Sequence, residues 1–203
     1  MSVVGVLLAA GRGSRFAAVY DGDDKLLASC DECGTPVLVA SAQPLVMTLK
    51  RVIAVVPVAA PARGDLLRAA GCDVVVAHHA HEGMGRMIAF AIEHSPQASG
   101  WIIALADMPC VQAVTIQRIA TALTHHDRVA PWHTGQRGHP VGFAHQHRDA
   151  LLQLQGDRGA RDLLEPAGVH RLDTNDSGVL IDIDTPADLE RARALRYTRH
   201  PSF

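Results

Sequence analysis

Val3-Val4-Gly5-Val6-Leu7-Leu8-Ala9-Ala10-Gly11-Arg12-Gly13-Ser14-Arg15-Phe16 lies at the start of the chain, and its reading decides the fold. Val3–Ala9 is a continuous apolar run that breaks into glycines. Unbroken apolarity over the length of a strand marks a strand buried on both faces, as in a parallel sheet. Helices must then cover it above and below. The glycines form a tight turn beyond its carboxyl end, where such sheets bind ligands.

Working outward, short apolar or β-branched runs recur at Arg51–Val58, Asp73–Ala77 and Gly100–Ala106. Helical patterns are expected over Pro36–Leu49, Pro61–Ala70, Met84–His94 and Val111–His125. In the last of these, Ile116, Ile119, Ala120 and Leu123 share one face. Repeated strand–helix alternation argues for right-handed βαβ units and a parallel sheet covered on both sides. Beyond residue 127 the pattern is mixed. Strands are expected at Arg128–Trp132, Val141–Ala144, Val169–Leu172 and Val179–Ile183, and helices at His147–Leu154 and Gly159–Glu165. Thr185, as N-cap, and Pro186, at the first helical position, open a last helix to about Arg196. Tyr197–Phe203 is expected to fray. The expectation is one domain over residues 1–203, an α/β/α three-layer sandwich around a mostly parallel sheet.

Composition narrows the function. The chain has 203 residues, 48% hydrophobic and 20% charged, which excludes intrinsic disorder. Aromatics at 4% argue against a stacking platform for single-stranded nucleic acid. A net charge of -2 provides no basic field for a nucleic acid or a membrane surface. No apolar run reaches the ~18 residues of a membrane span, and no basic residue precedes the first apolar run as in a signal peptide. Cys30, Cys33, Cys72 and Cys110 are too scattered for a disulfide framework, which fits a reducing cytoplasm. Only Lys25 and Lys50 among the 19 basic residues are lysine. A compact ammonium retained in an arginine-dominated chain is a candidate functional group.

The turn of Ala9, Ala10, Gly11, Arg12 and Gly13 lets backbone N–H groups approach an anion, with Arg12 and Arg15 adding charge. A phosphate ligand is the economical reading, and a plain tight turn the alternative. The dinucleotide fingerprint fails because Phe16 takes its third glycine position, and the G-x-x-x-x-G-K-[ST] loop is absent. Asp107 follows the apolar run Ile102–Ala106, where a carboxylate suits a hard divalent cation; a helix N-cap is the other reading. Asp182 and Asp184 are two apart in an expected strand, so both project from one face and repel unless a cation lies between them. Asp107 with Asp182 is the expected metal pair, with Asp184 as near neighbour.

The loop Leu8-Ala9-Ala10-Gly11-Arg12-Gly13-Ser14-Arg15-Phe16 with its following Lys25 resembles the signature of the MobA-like nucleotidyltransferases, most nearly their molybdenum cofactor cytidylyltransferase branch. Five further motifs occur in the same order: Glu82-Gly83-Met84-Gly85, Leu105-Ala106-Asp107-Met108-Pro109, Arg137-Gly138-His139-Pro140, Gly156-Asp157-Arg158-Gly159-Ala160-Arg161 and Asp182-Ile183-Asp184-Thr185-Pro186.

The resemblance implies a Rossmann-like sheet with a nucleotide-binding half (residues 1–127) and an acceptor-binding half (residues 128–196). It implies transfer of CMP from CTP to the terminal phosphate of Mo-molybdopterin, with Mg²⁺ (or Mn²⁺) as cofactor and a molybdoenzyme as recipient. A monomer without nucleic-acid or membrane partners is expected. Lys25, Arg15 and Asp107 would be catalytic. Leu8 to Gly13, Arg15, Lys25, Gly83 and Gly85 would bind nucleotide; His139, Arg137, Arg158, Arg161 and Asp184 would bind acceptor. Cytosine is favoured because the loop reads Ala9-Ala10-Gly11, where the guanylyl branch tends to Ala-Gly-Gly. GTP as donor, another phosphorylated acceptor, a non-catalytic cofactor carrier and a plain dinucleotide-binding module are the rival readings.

The chain departs from that pattern in three places. Arg15 and Lys25 stand ten apart instead of five, across an insert, Ala17–Asp24, that carries Asp21, Asp23 and Asp24. A usual Asn is Ala77, and a usual Ser is Met87. Two weaker constellations remain. Cys30-Asp31-Glu32-Cys33 has no second pair and reads as a turn closed by Gly34. His78, His79 and His81 precede Gly83 and read as an exposed loop.

Overall fold

The computed structural model describes residues 2–11, 24–164 and 168–199. Its strands are β1 (Val3–Leu8), β2 (Val52–Pro57), β3 (Asp73–Ala77), β4 (Gly100–Leu105), β5 (Arg128–His133), β6 (Gln136–Arg137), β7 (Val141–Ala144) and β8 (His170–Asp173). Its α-helices are α1 (Val37–Thr48), α2 (Pro61–Ala69), α3 (Met84–Glu93), α4 (Ala113–Ala122), α5 (Arg148–Leu152) and α6 (Pro186–Arg199).

β1 alternates in what it buries. Val4, Val6 and Leu8 pack into one apolar cluster, and Leu7 and Ala9 into another. The first cluster is filled by Met87, Ile88 and Ile92 of α3 and Leu151 of α5. The second takes α1, α2, α4 and α6 through Leu38, Leu67, Ile116 and Leu189. This two-sided cover gives the expected three layers. Trp101 of β4 is fully buried, and its indole N–H donates to Ser95 Oγ at 2.8 Å, so the one polar atom of a large apolar ring is satisfied.

The strand order is β3-β2-β1-β4-β7-β5-β6, with β8 on the far edge of β5. β3, β2, β1 and β4 are mutually parallel; β7 joins β4 antiparallel. The chain runs from β1 outward through β2 to β3 and returns as β4 on the other side of β1. The carboxyl ends of β1 and β4, in register at Leu8 and Leu105, therefore form the switch point at which open α/β sheets bind ligands.

Three expectations are corrected. Val179–Ile183 is not a strand: Ser177–Leu180 is a 3₁₀ turn. The buried Asp176 carboxylate accepts from Gly178 N at 3.0 Å, Thr115 Oγ1 at 2.8 Å and Gln112 N at 2.8 Å, so local side-chain bonds replace a ladder. The expected helix at Gly159–Glu165 is a 3₁₀ turn, Arg161–Leu164. Tyr197 to Arg199 continue α6 where fraying was expected; residues 200–203 lie outside the described residues. Among the described residues no helix is long and apolar enough to cross a membrane.

Candidate active site

Asp107 stands two residues past β4, held from both sides. Ser41 Oγ of α1 donates to Ala106 O at 2.9 Å, and Ile183 N donates to Asp107 O at 2.9 Å. Lys25 reaches it from a turn fused to α1. The helix has Pro36 as N-cap and no side-chain cap. Its first N–H groups, of Val37 and Leu38, donate instead to the carbonyls of Ala28 (2.9 Å) and Leu26 (3.0 Å). The orphan donors of the helix start thus fix the Lys25 turn.

The buried Lys25 ammonium donates to Asp107 Oδ2 at 2.7 Å, Ile183 O at 2.7 Å and Asp184 Oδ1 at 3.0 Å. Three acceptors use all three of its protons. Burial alone would lower its pKa. Attraction to Asp107 and the hydrogen bonds to Asp107 and Asp184 outweigh that, so it lies above the ordinary lysine value. Burial raises the Asp182 pKa, and repulsion from Asp107 and Asp184 adds to the rise. Burial also pushes the His139 imidazole pKa down, with Arg137 assisting against Asp107, so the ring stands neutral near pH 7.

Two carboxylates, of Asp107 and Asp184, therefore share one ammonium with Asp182 close enough to feel all three charges, and among the described residues Asp107 Oδ1 is buried without a hydrogen-bond partner. A buried carboxylate oxygen without a partner costs free energy unless a cation or donor meets it. The set fits a hard divalent cation, which takes one or two carboxylates and completes its shell with water and phosphate oxygens.

Asp184, rather than Asp182, shares the ammonium with Asp107. The start of α6 explains this. Asp188 Oδ2 accepts from Asp184 N (3.2 Å), Thr185 N (2.8 Å) and Thr185 Oγ1 (2.7 Å), and Asp188 N donates back to Thr185 Oγ1 at 3.3 Å. Thr185 is the expected N-cap, and Asp188 closes a capping box that orients Asp184. Burial alone would raise the Asp188 pKa; hydrogen bonds from Thr185 and Arg191 hold it below the ordinary aspartate value. A carboxyl depressed on folding stabilises above its unfolded pKa and loses that contribution as pH falls through the folded one. Asp188→Ala is expected to cost ~1 kcal/mol in urea unfolding at neutral pH. The difference from wild type should disappear in acid below the depressed pKa. A difference that persists there would mean the carboxylate charge plays no part.

A cleft of about 390 Å³ opens beside these acids, lined by Leu8, Ala10, Gly11, Gly83, Met87, Asp107 and Asp157. Of the expected nucleotide-binding residues, Leu8, Ala10, Gly11 and Gly83 face it together. The Ala9 side chain is buried in the core instead. Gly83 has φ +97, and a Cβ there would lie 2.4 Å from Gly156 C; a Cβ on Gly85 would lie 2.7 Å from Gln155 N. Both glycines permit the start of α3 to dock on the Gln155–Asp157 segment. Arg12, Gly13, Arg15 and residues 17–23 of the insert lie outside the described residues. The two polar positions lost from the pattern, Ala77 and Met87, are buried in one apolar cluster, which leaves no polar atom there to satisfy.

The expected acceptor residues do not assemble as a group. Arg137 donates to Leu164 O at 2.9 Å, and Arg158 pairs with Asp162 at 2.6 Å on the surface. Arg161 is exposed on a 3₁₀ turn. Only His139 and Asp184 lie near Asp107. Cys30 is buried and Cys33 exposed. The Asp31 carboxylate accepts from Cys33 N and Thr35 N, which is turn chemistry and not a metal pair. A wider groove of about 580 Å³ lies between that turn and α6, and both of its arginines are already joined, Arg196 to Asp31 and Arg193 to Glu190.

Sequence reasoning missed Arg63. This buried side chain of α2 grips Asp24 through Nε (2.6 Å) and Nη2 (2.9 Å), while Nη1 donates to Ala9 O (2.6 Å) and Gly11 O (3.1 Å). It ties together the two ends of the glycine loop and its insert. Asp24, at the end of the insert, is thereby neutralised. The available signal was an arginine in the first turn of a helix, which ordinarily reads as solvated.

A switch-point cleft with a glycine turn, a lysine and converging carboxylates defines a nucleotidyltransferase. The chain belongs to the MobA-like NTP transferase domain family, whose model matches residues 5–174. It is similar to Rv0371c from Mycobacterium tuberculosis H37Rv, at 28% identity over 94% of this chain and 97% of that one, with a TM-score of 0.77. A second structure of Rv0371c is a complex with manganese (27% identity, 96% and 99% coverage, TM-score 0.75). A nucleotidyl transferase from Methanothermobacter shares the fold at 20% identity, with 98% of each chain covered and a TM-score of 0.82. Comparison with curated proteins gave no match.

Proposed function

We propose that the protein transfers CMP from CTP to the terminal phosphate of Mo-molybdopterin, giving molybdopterin cytosine dinucleotide and pyrophosphate. The observation that carries this reading is the cluster of Asp107, Asp182 and Asp184 around Lys25 at the cleft, with the buried Asp107 Oδ1 lacking a hydrogen-bond partner among the described residues. An acceptor phosphate oxygen attacks the α-phosphorus of CTP in line, and the bond to the β-phosphate breaks. Both reactants are anionic, so positioning and charge neutralisation are the main problems.

The backbone N–H groups from Ala10 to Gly13, together with Arg12 and Arg15, hold the triphosphate, and Gly83 and Gly85 let α3 approach it. Lys25 turns from its carboxylates to a phosphate oxygen. His139 and Asp184, which lie near Asp107, form the acceptor side. Asp107 and Asp182 hold the cation, with Asp184 beside them; Mg²⁺, or Mn²⁺ in its place, would neutralise developing phosphate charge there. The manganese complex of a relative supports a divalent ion. The product passes to a molybdoenzyme in the cytoplasm, and the protein works as a monomer.

The Met87 replacement favours a second reading, a different base or acceptor, because it puts an apolar side chain in the cleft wall where the family pattern has a serine. One assay separates the two. Each NTP is mixed with Mg²⁺ and Mo-molybdopterin, and pyrophosphate is measured. Release with CTP alone supports the proposal. Release with another base transfers it to the second reading. Tight cofactor binding without release makes the protein a carrier. Lys25→Ala is expected to weaken CTP binding about tenfold, the loss of one hydrogen bond to a charged group at ~1.5 kcal/mol. A CTP dissociation constant equal to wild type would show that the ammonium never leaves its carboxylates.

A further inference from the structure

At the rim of the same cleft stands a donor set of different chemistry. After β3 the chain makes a 3₁₀ turn, Ala80–Glu82, before α3. The turn is closed by Glu82 N donating to His79 O at 3.0 Å, and the following Gly83–Gly85 backbone is docked on Gly156, with Gly85 N donating to Gly156 O at 2.8 Å. On this base the side chains of His79, His81 and Glu82 place one ligand atom each within 4.8 Å of one another. His79 Nδ1 already lies 3.2 Å from a Glu82 carboxylate oxygen.

We propose that His79, His81 and Glu82 bind a borderline divalent transition-metal ion of the zinc class, at a site separate from the aspartate cluster. Two imidazoles and one carboxylate are a donor set for such an ion, whereas Mg²⁺ prefers oxygen donors alone. Metal–nitrogen bonds of about 2.0–2.1 Å put neighbouring ligands of a tetrahedral centre about 3.3 Å apart. The His79–Glu82 pair has that spacing, and His81 reaches it by rotation of an exposed side chain. All three residues are exposed, so water or an incoming ligand completes the shell. One competitor is present: Arg86 Nε lies 3.9 Å from Glu82, but its Nη1 is engaged by Glu93 at 2.7 Å. His81 also lines the cleft, so a bound ion adds positive charge to the cleft wall.

The test is calorimetric titration of the full-length protein with Zn²⁺ in the presence of excess Mg²⁺. One ion should bind with a micromolar dissociation constant, and Asp107→Ala should bind it equally well. The double variant His79→Ala/His81→Ala should lose at least tenfold in affinity, and Glu82→Gln, which keeps the side-chain shape, should weaken binding in the same direction. Circular dichroism melting verifies that the variants fold. Absence of binding, binding undiminished in both histidine and glutamate variants, or binding lost in Asp107→Ala would overturn the assignment.

Discussion

Asp107→Ala is expected to lower pyrophosphate release by about 10²–10³-fold, the loss typical when one preorganised electrostatic group is taken from a reacting centre. The expectation follows from where the side chain is held. Oδ2 receives the Lys25 ammonium at 2.7 Å, while Oδ1 is buried with no hydrogen-bond partner among the described residues. The same geometry separates activity from folding. Without the Asp107 carboxylate, Lys25 keeps Asp184 and the Ile183 carbonyl. The backbone bond between Ile183 N and Asp107 O does not depend on the side chain. The variant should melt close to wild type while turnover collapses. A near-normal rate would remove Asp107 from the mechanism, and a collapsed melting temperature would make its role structural.

Arg63→Ala is the second large expectation. It leaves the Asp24 carboxylate uncompensated and strips donors from the carbonyls of Ala9 and Gly11. Removing one partner of a buried ion pair costs about 3–5 kcal/mol. Asp24 retains some solvent contact, which places this case at the lower end. Urea unfolding measures the loss. Nucleotide affinity should fall as well, because the glycine turn loses its anchor. Arg63→Lys sharpens the test: an ammonium keeps the charge but cannot serve Asp24 and two carbonyls from one planar fork. It should recover part of the stability and less of the nucleotide affinity. Full recovery of both would mean that charge alone matters at this position.

The sheet was legible because its signal is local. The unbroken apolar run Val3–Ala9 ends in glycines, and the structure divides it between two faces, Val4, Val6 and Leu8 against Leu7 and Ala9. Lys25 and Asp107 were legible through motif order, and the structure brings them into direct contact across 82 residues. Arg63 was not, because its partners come from Asp24 and the turn just past β1, and nothing in Pro61–Ala69 signals their approach. The expected strand at Val179–Ile183 failed for a similar reason. Its β-branched residues favour extension, but Asp176 turns the chain, and Gly178 packs directly on the Cys110 carbonyl. Period-two reasoning set Asp182 and Asp184 on one side together. Which of them meets the lysine is decided by Asp188, one helical turn further on.

The bonds from Val37 and Leu38 to Ala28 and Leu26 have a kinematic consequence. Sliding the main chain after Lys25 would strip the leading turn of a twelve-residue helix of its acceptors, and that helix is packed into the interior. Any excursion of the ammonium toward an arriving anion is therefore confined to rotation about the four methylene torsions of a single side chain. The backbone beneath it behaves as a fixed pivot.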